Sequence, residues 1–303
     1  MTASQTWSVG LSPFLFAVGR LWFELRRQPR VELTPDGQRY LRFGSGMPMA
    51  LPFALRWLLP MLCHDSIKRW RWTTTAHLAL LPPLLSVWLS YHISNPWLNV
   101  VGGLLICGLP GVWRVHVRWP VLVDVAAMDW ALASAIAAQR GMWALAITLA
   151  LVAGSMKETA PIFASCYAWN PVLLVGLACP LVRKLTAAVG DDIFDDREAW
   201  VLAHPIQASR IAHAGRWRDP SLMLTPWGVS LIALFTIDHA VLIMLLTTLV
   251  LAYCQLLIAT DSVRLYQWAA PPMILATMTV LTSPWAIVAL ALHLLNPWAG
   301  DGA

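Results

Sequence analysis

Long, continuous apolar runs recur along the whole chain, and they restrict its possible folds more than any other feature. Examples cover residues 73–91, 97–112 and 240–259. The chain is 58% hydrophobic and only 12% charged, whereas soluble domains carry about 25% charged residues. Continuous runs are typical of membrane-spanning helices, and a transmembrane barrel would show short alternating segments instead. The sequence therefore predicts an all-α fold, a polytopic transmembrane helical bundle forming one domain over residues 1–303.

The runs indicate about eight to ten membrane segments. Residues 47–62 are short and proline-rich, which favours an amphipathic or re-entrant helix lying at the membrane interface. Residues 161–182 are interrupted by Trp169-Asn170-Pro171, which predicts either one kinked span or two half-helices.

Two polar stretches separate the runs: a first external loop at 31–72 and a long polar loop at 183–222. The net charge of +5 is interpreted mainly as loop charge that sets the membrane topology. No separate basic domain is present, so we expect no nucleic-acid partner.

The first external loop carries Asp36 and Tyr40, which share a face if this segment is helical. A carboxylate just outside a membrane span can act as a general base or help to hold a divalent cation. The alternative is a helix cap, because Thr34-Pro35-Asp36 is a good helix-start signal with Thr34 or Asp36 as the cap.

Arg56 lies inside the apolar stretch LPFALRWLLP. A guanidinium there is costly unless it meets an anion, and phosphate matches its fork geometry. The alternative is an arginine that snorkels to the interface without a ligand.

Lys157-Glu158 ends the apolar run MWALAITLALVAGSM. One interpretation is an ordinary interfacial helix end. In the other, Glu158 orients Asp36 or shares its catalytic role, and Lys157 binds a phosphate.

Acidic residues later in the chain give further candidates. Asp261 and Arg264 are three residues apart and can pair on one helix face, so a structural ion pair is an open interpretation. Asp124 and Asp129 are five apart, about 140° around a helix, and do not share a face. Asp129 is the deeper of the two and must face the protein interior or water.

Several common chemistries have no signal in the sequence. The histidines are scattered without metal-ligand spacing, and no phosphate-binding or dinucleotide-binding glycine motif occurs. The sequence therefore identifies no cofactor with certainty and gives no metal ligands. Binding of a divalent cation stays an open alternative.

The ordered set DGQRY, PFALRWLLP, MKETAP and ATDSVRLYQWAAPP resembles the GT-C glycosyltransferases, multi-span membrane enzymes that use polyprenyl-phosphate-linked sugars. In that family an essential acid lies in the first external loop, where Asp36 stands here, and a Lys-Glu pair recurs, as in Lys157-Glu158. The resemblance implies catalytic roles for Asp36 and Glu158. It further implies substrate binding by a second set of side chains: Arg39, Tyr40, Arg56, Lys157, Asp261 and Arg264.

The resemblance implies a bacterial inner-membrane, multi-pass enzyme. Its partners would be a polyprenyl-phosphate sugar, membrane lipids and an acceptor hydroxyl at the non-cytoplasmic face. Two other classes fit the same polar segments: a lipid or small-solute transporter or flippase, and a non-catalytic membrane scaffold. Transfer by the enzyme requires Asp36, Lys157-Glu158 and Asp261 to reach one membrane face, which in turn requires the chain to break at Trp169-Asn170-Pro171.

Overall fold

A computed structural model describes residues 3–27, 30–187, 200, 203–219, 221–257 and 263–295. These residues form helices, turns and loops, and no β-strand occurs among them. The predicted all-α fold is confirmed. The α-helices are α1 (Ala3–Arg27), α2 (Pro35–Gly44), α3 (Leu58–Cys63), α4 (Ile67–Leu89), α5 (Pro96–Leu105), α6 (Arg114–Arg118), α7 (Asp124–Gln139), α8 (Trp143–Met156), α9 (Ala160–Ala168), α10 (Ala178–Thr186), α11 (Pro205–Ala212), α12 (Ala214–Arg218), α13 (Ser221–Leu224), α14 (His239–Cys254), α15 (Val263–Tyr266), α16 (Ala270–Val280) and α17 (Ser283–Leu294).

Short 3₁₀ segments join or extend several of these helices. They cover Phe53–Leu55, Ile106–Gly108, Pro171–Leu177, Thr225–Phe235, Gln255–Leu257 and Gln267–Ala269.

Polar side chains at the helix starts replace the backbone acceptors that a first turn lacks. The Ser66 hydroxyl accepts a hydrogen bond from the Arg69 backbone N–H at the start of α4. Asp238 accepts from two backbone N–H groups at the start of α14. These short polar caps explain why apolar helices begin directly after polar residues.

Helix α7 lies at the centre of the bundle and is buried along nearly its whole length. It turns at Gln139-Arg140-Gly141, as predicted, and packs against α8. The contact is close because small residues line it, and the Ser134 hydroxyl donates to the Ala146 carbonyl at 2.7 Å. Asp129 faces the interior, as expected, with its Oδ2 2.8 Å from His77 Nδ1 on α4.

The chain breaks at the predicted point in residues 161–182. Helix α9 ends at Ala168, and the next residue, Trp169, has a left-handed backbone conformation (φ 52°). Asn170 caps the following segment by accepting a hydrogen bond from the Val172 N–H. The segment then returns towards the bundle end it left, because Arg183 near its end donates to the Ala54 carbonyl at 3.3 Å. Of the two predicted forms, the structure has two half-length helical segments.

Glycine makes the close contact between this returning segment and α8. A Cβ on Gly154 would collide with the Gly176 carbonyl oxygen, and a Cβ on Gly176 would collide with the Ala150 carbonyl oxygen. Pro161 lies against both positions. The backbones of α8 and of the segment Pro171–Leu177 therefore approach so closely that only glycine fits at these two positions.

Residues 47–62 do not form the one amphipathic or re-entrant helix that the sequence predicts. They contain the 3₁₀ turn Phe53–Leu55 and the start of α3, with Arg56 in the link between them. Pro52 lies immediately before the turn, and proline lacks the N–H that a continuous helix needs. The segment is therefore compact and irregular at Arg56.

One helix among the described residues, His239–Leu257, is long and apolar enough to cross a membrane by length and composition, with a mean hydropathy of 2.3. Four other apolar helices are shorter: Pro96–Gly108, Trp143–Met156, Thr225–Phe235 and Ser283–Leu294. Eight to ten membrane segments therefore stay a prediction.

Candidate functional site

Asp36 is freed for tertiary contacts because Thr34 caps α2. The Thr34 hydroxyl accepts a hydrogen bond from the Gly37 backbone N–H at 3.0 Å, and Pro35 fills the first helical position. Of the two possible caps, the structure therefore uses Thr34. Because α2 is helical, Asp36 and Tyr40 share a face, which points into the protein.

The Asp36 carboxylate lies between two arginines. Its Oδ1 accepts from Arg39 at 3.1 Å, and its Oδ2 accepts from Arg264 at 3.2 Å. Arg264 comes from α15, more than 200 residues away along the chain. The predicted partner of Arg264, Asp261, lies outside the described residues.

Arg56 and Glu158 form a two-pronged ion pair. The Arg56 Nε and Nη2 groups donate to the two Glu158 oxygens at 2.8 and 2.7 Å. The remaining Arg56 Nη1 donates to the Tyr40 hydroxyl at 3.0 Å. This fork geometry is among the strongest pairings between charged side chains.

Asp124 joins Lys157 and Arg264, and no pattern in the sequence predicts that it belongs to the site. Its Oδ1 accepts from Lys157 Nζ at 2.5 Å, and its Oδ2 lies 3.0 Å from Arg264. Lys157 therefore meets a carboxylate here, whereas phosphate was its expected partner. The signal in the sequence is a carboxylate at the start of an apolar run, and its angular separation from Asp129 does not indicate a contact with Lys157.

These contacts bring together all the described residues to which the resemblance assigns a role, and they add Asp124. The charged cluster consists of eight side chains: Asp36, Arg39, Tyr40, Arg56, Asp124, Lys157, Glu158 and Arg264. It has four cations and three carboxylates, a net charge of +1 within this set. An excess of positive charge suits an anionic ligand.

The cluster has a buried side and an accessible side. The side chains of Asp124 and Lys157 are 4% and 3% exposed. Those of Asp36 and Glu158 are 26% and 25% exposed. The two acids to which the resemblance gives catalytic roles are therefore the most exposed charged groups of the cluster.

Electrostatics keep the accessible acid Glu158 ionised. Burial raises the pKa of its carboxyl, but the charge and hydrogen bonds of Arg56, aided by Lys157, outweigh this and leave the pKa at about 2. For Lys157 burial is the larger effect and lowers the ammonium pKa, while Asp124 opposes it. For Tyr40 burial also dominates and raises the pKa, so the phenol stays neutral.

Aromatic rings pack against the cluster. The Phe53 ring lies under Arg39 at 4.6 Å and under Arg56 at 5.5 Å. Tyr40 stacks on Trp70 at 5.9 Å between centroids. Arginine over an aromatic face gains further attraction in such a partly dry environment.

The optional divalent cation finds no support in the described part of the chain. No group of three or more His, Cys, Asp or Glu side chains is placed there to hold a metal ion. Each carboxylate of the cluster instead pairs with nitrogen cations.

Comparison with protein-family models, curated proteins and solved structures finds no match to the chain. Its function must therefore be inferred from the chemistry of the charged cluster.

Proposed function

We propose that the chain is a multi-pass membrane glycosyltransferase whose charged cluster binds the phosphate of a polyprenyl-phosphate sugar. The observation that carries the proposal is the convergence of three kinds of side chain in one place. These are four cations, a buried neutral phenol and two partly exposed carboxylates. They come from segments far apart in the chain, which favours a built site over a local ion pair.

The membrane part of the proposal draws on composition and on the longest apolar helix. A chain with 12% charged residues places most of its surface in an apolar environment more readily than in water. Large apolar side chains are also exposed on the helices, such as Ile243 at 52% and Val250 at 62% on α14. Exposed side chains of this kind suit contact with lipid.

The carboxylates of Glu158 and Asp36 occupy positions that the oxygens of a bound phosphate would take. Arg56 holds Glu158 through the same fork that would hold two phosphate oxygens. Arg264 holds Asp36 from the side. An incoming lipid phosphate would compete for these guanidinium groups and release the two carboxylates at the moment of binding.

Once released from Arg264, the Asp36 carboxylate acts as the general base of the transfer. The acceptor hydroxyl attacks the anomeric carbon of the sugar, the bond from that carbon to the phosphate oxygen breaks, and the hydroxyl proton passes to Asp36. Polyprenyl phosphate leaves with the bonding electrons, and Arg56 and Lys157 stabilise its added negative charge. Before the donor binds, Glu158 orients Arg56 through their two-pronged ion pair.

The first test is Asp36→Asn in purified protein reconstituted in lipid vesicles with a polyprenyl-phosphate sugar. We expect the wild type to release polyprenyl phosphate and the variant to lose at least about a hundredfold in rate, because a positioned general base contributes that much. The control is Glu32→Gln, which breaks an exposed pair with Arg118. Full transfer by Asp36→Asn contradicts the role given to Asp36.

A second candidate, a lipid or small-solute transporter, is favoured by the broken chain at Trp169. Discontinuous helices form substrate sites in many transporters. A transporter moves its cargo between vesicle faces without covalent change, and its function is more sensitive to Arg56→Gln than to Asp36→Asn. Recovery of intact donor on both faces would favour this candidate over the enzyme.

A further inference from the structure

A cavity of about 500 Å³ lies outside the charged cluster. It forms where helices α11 and α12 meet the end of the apolar helix His239–Leu257. This volume suits one small ligand or one lipid headgroup. Six residues line it: Ile206, Ser209, Arg210, Ala214, Arg218 and Leu257.

The cavity combines two cations with apolar walls. Arg210 and Arg218 are both exposed, and within the described ranges neither pairs with an acid. Ile206 and Leu257 are 60% and 51% exposed, although both are large apolar side chains. Cations beside exposed apolar surface fit a ligand that is itself anionic at one end and apolar at the other.

The position of the cavity relates it to the membrane. The Ser209 hydroxyl donates to the Leu256 carbonyl, which ties α11 to the end of the helix His239–Leu257. Next to Leu256, the Gln255 side-chain oxygen accepts a hydrogen bond from the Thr159 hydroxyl at 3.3 Å, and Thr159 directly follows Glu158. The cavity therefore opens at the end of the bundle that carries the charged cluster.

We infer that this cavity binds the phosphate of an anionic membrane lipid headgroup. The inference rests on the membrane location contained in the proposed function, and it adds a lipid site separate from the donor site. If His239–Leu257 spans the bilayer, its end lies at headgroup level, where Arg210 and Arg218 meet lipid phosphates. Their planar forks match phosphate oxygens, and Ile206 and Leu257 face the first carbons of the acyl chains.

The test measures binding of dioctanoyl phosphatidic acid to the purified full-length protein in a neutral detergent. Replacing both arginines, in the variant Arg210→Gln/Arg218→Gln, is expected to weaken binding at least about tenfold, since two charge-assisted contacts are lost. The matched control is Lys68→Gln/Arg69→Gln, which removes two exposed cations at the start of α4, outside the cavity. The affinity of the control for phosphatidic acid is expected to lie within about threefold of the wild-type value, because exposed charges outside the cavity are screened by salt.

Three results overturn the inference. The first is equal affinity of the wild type and the Arg210→Gln/Arg218→Gln variant, and the second is an equal loss of affinity in the control. The third is binding of inorganic phosphate as tightly as phosphatidic acid, which assigns the cavity to free phosphate. Unchanged melting temperatures check that both variants fold. Asp36→Asn protein is expected to bind phosphatidic acid like the wild type, so loss of transfer and loss of headgroup binding are measured separately.

Discussion

Asp124 is the buried residue on which the charged cluster depends most. It contacts Lys157 at 2.5 Å and Arg264 at 3.0 Å, with its side chain 4% exposed. Removing one partner of a buried ion pair leaves an uncompensated charge, which costs about 3–5 kcal/mol. We expect Asp124→Asn to lower the free energy of unfolding by that amount, measured by thermal unfolding in detergent.

The matched control for this prediction is again Glu32→Gln. The pair of Glu32 with Arg118 is 54% and 35% exposed, so its loss should cost less than about 1 kcal/mol. Equal stability losses in the two variants would show that the cluster is not organised around Asp124.

Glu158 makes stability depend on pH in a defined direction. Its pKa lies at about 2 in the folded protein, against an ordinary value of 4.5, since Arg56 and Lys157 outweigh the opposing effect of burial. A lowered folded pKa contributes stability above pH 4.5, and this contribution is lost as the pH falls towards 2. Melting temperatures of Glu158→Gln should therefore fall less steeply than those of the wild type between pH 4.5 and 2. Parallel curves would contradict this account.

The sequence could identify most of the cluster residues but not how they pair. Arg56 and Lys157-Glu158 stand out because charges inside or at the end of apolar runs are costly. Helical spacing alone predicts the shared face of Asp36 and Tyr40, and α2 confirms it. Pairing of Asp124 with Lys157 depends on how α7 and α8 pack, and spacing along the chain does not determine that.

At the scale of elements, the seam between α8 and the segment Pro171–Leu177 is the most demanding contact. A Cβ on Gly154 would meet backbone atoms of Gly176, which cannot move aside as a flexible side chain would. We expect Gly154→Ala to cost about 1–3 kcal/mol of stability through overpacking. The measurement is the same thermal unfolding in detergent.

Gly19 in α1 is the matched control, because nothing lies within 4 Å of an added Cβ there. Gly19→Ala should be neutral or stabilise by about 0.5–1 kcal/mol, since alanine restricts the unfolded chain. A Gly154→Ala protein as stable as the Gly19→Ala protein would mean that the two backbones do not approach as closely as described.

The elements divide into those that local sequence determines and those that it does not. The break at Trp169 and the turn at Arg140 follow from Asn-Pro and Gly next to apolar runs, and both occur as predicted. Residues 47–62 do not form the predicted single helix, because Pro52 interrupts it and Arg56 turns towards Glu158. A tertiary ion pair therefore decides the local path of this segment.

At the scale of the whole molecule, the described helices place the charged cluster at one end of the bundle. Helix α7 begins there at Asp124 and ends at the opposite end at Gln139, and the chain returns to the cluster with Lys157. The return of residues 171–186 and the contact of Gln255 with Thr159 bring later segments to the same end. This common end is what a lipid-phosphate site at one membrane face requires.

The most direct test of that site is photolabelling of the reconstituted protein with a polyprenyl phosphate that carries a photoreactive group near its phosphate. Mass spectrometry of the digested protein locates the label. We predict label within residues 35–58 and 157–159, lost when Arg56→Gln removes the proposed phosphate fork. Label confined to the opposite end of the bundle, around Arg140, or equal labelling of the wild type and Arg56→Gln, would contradict the account.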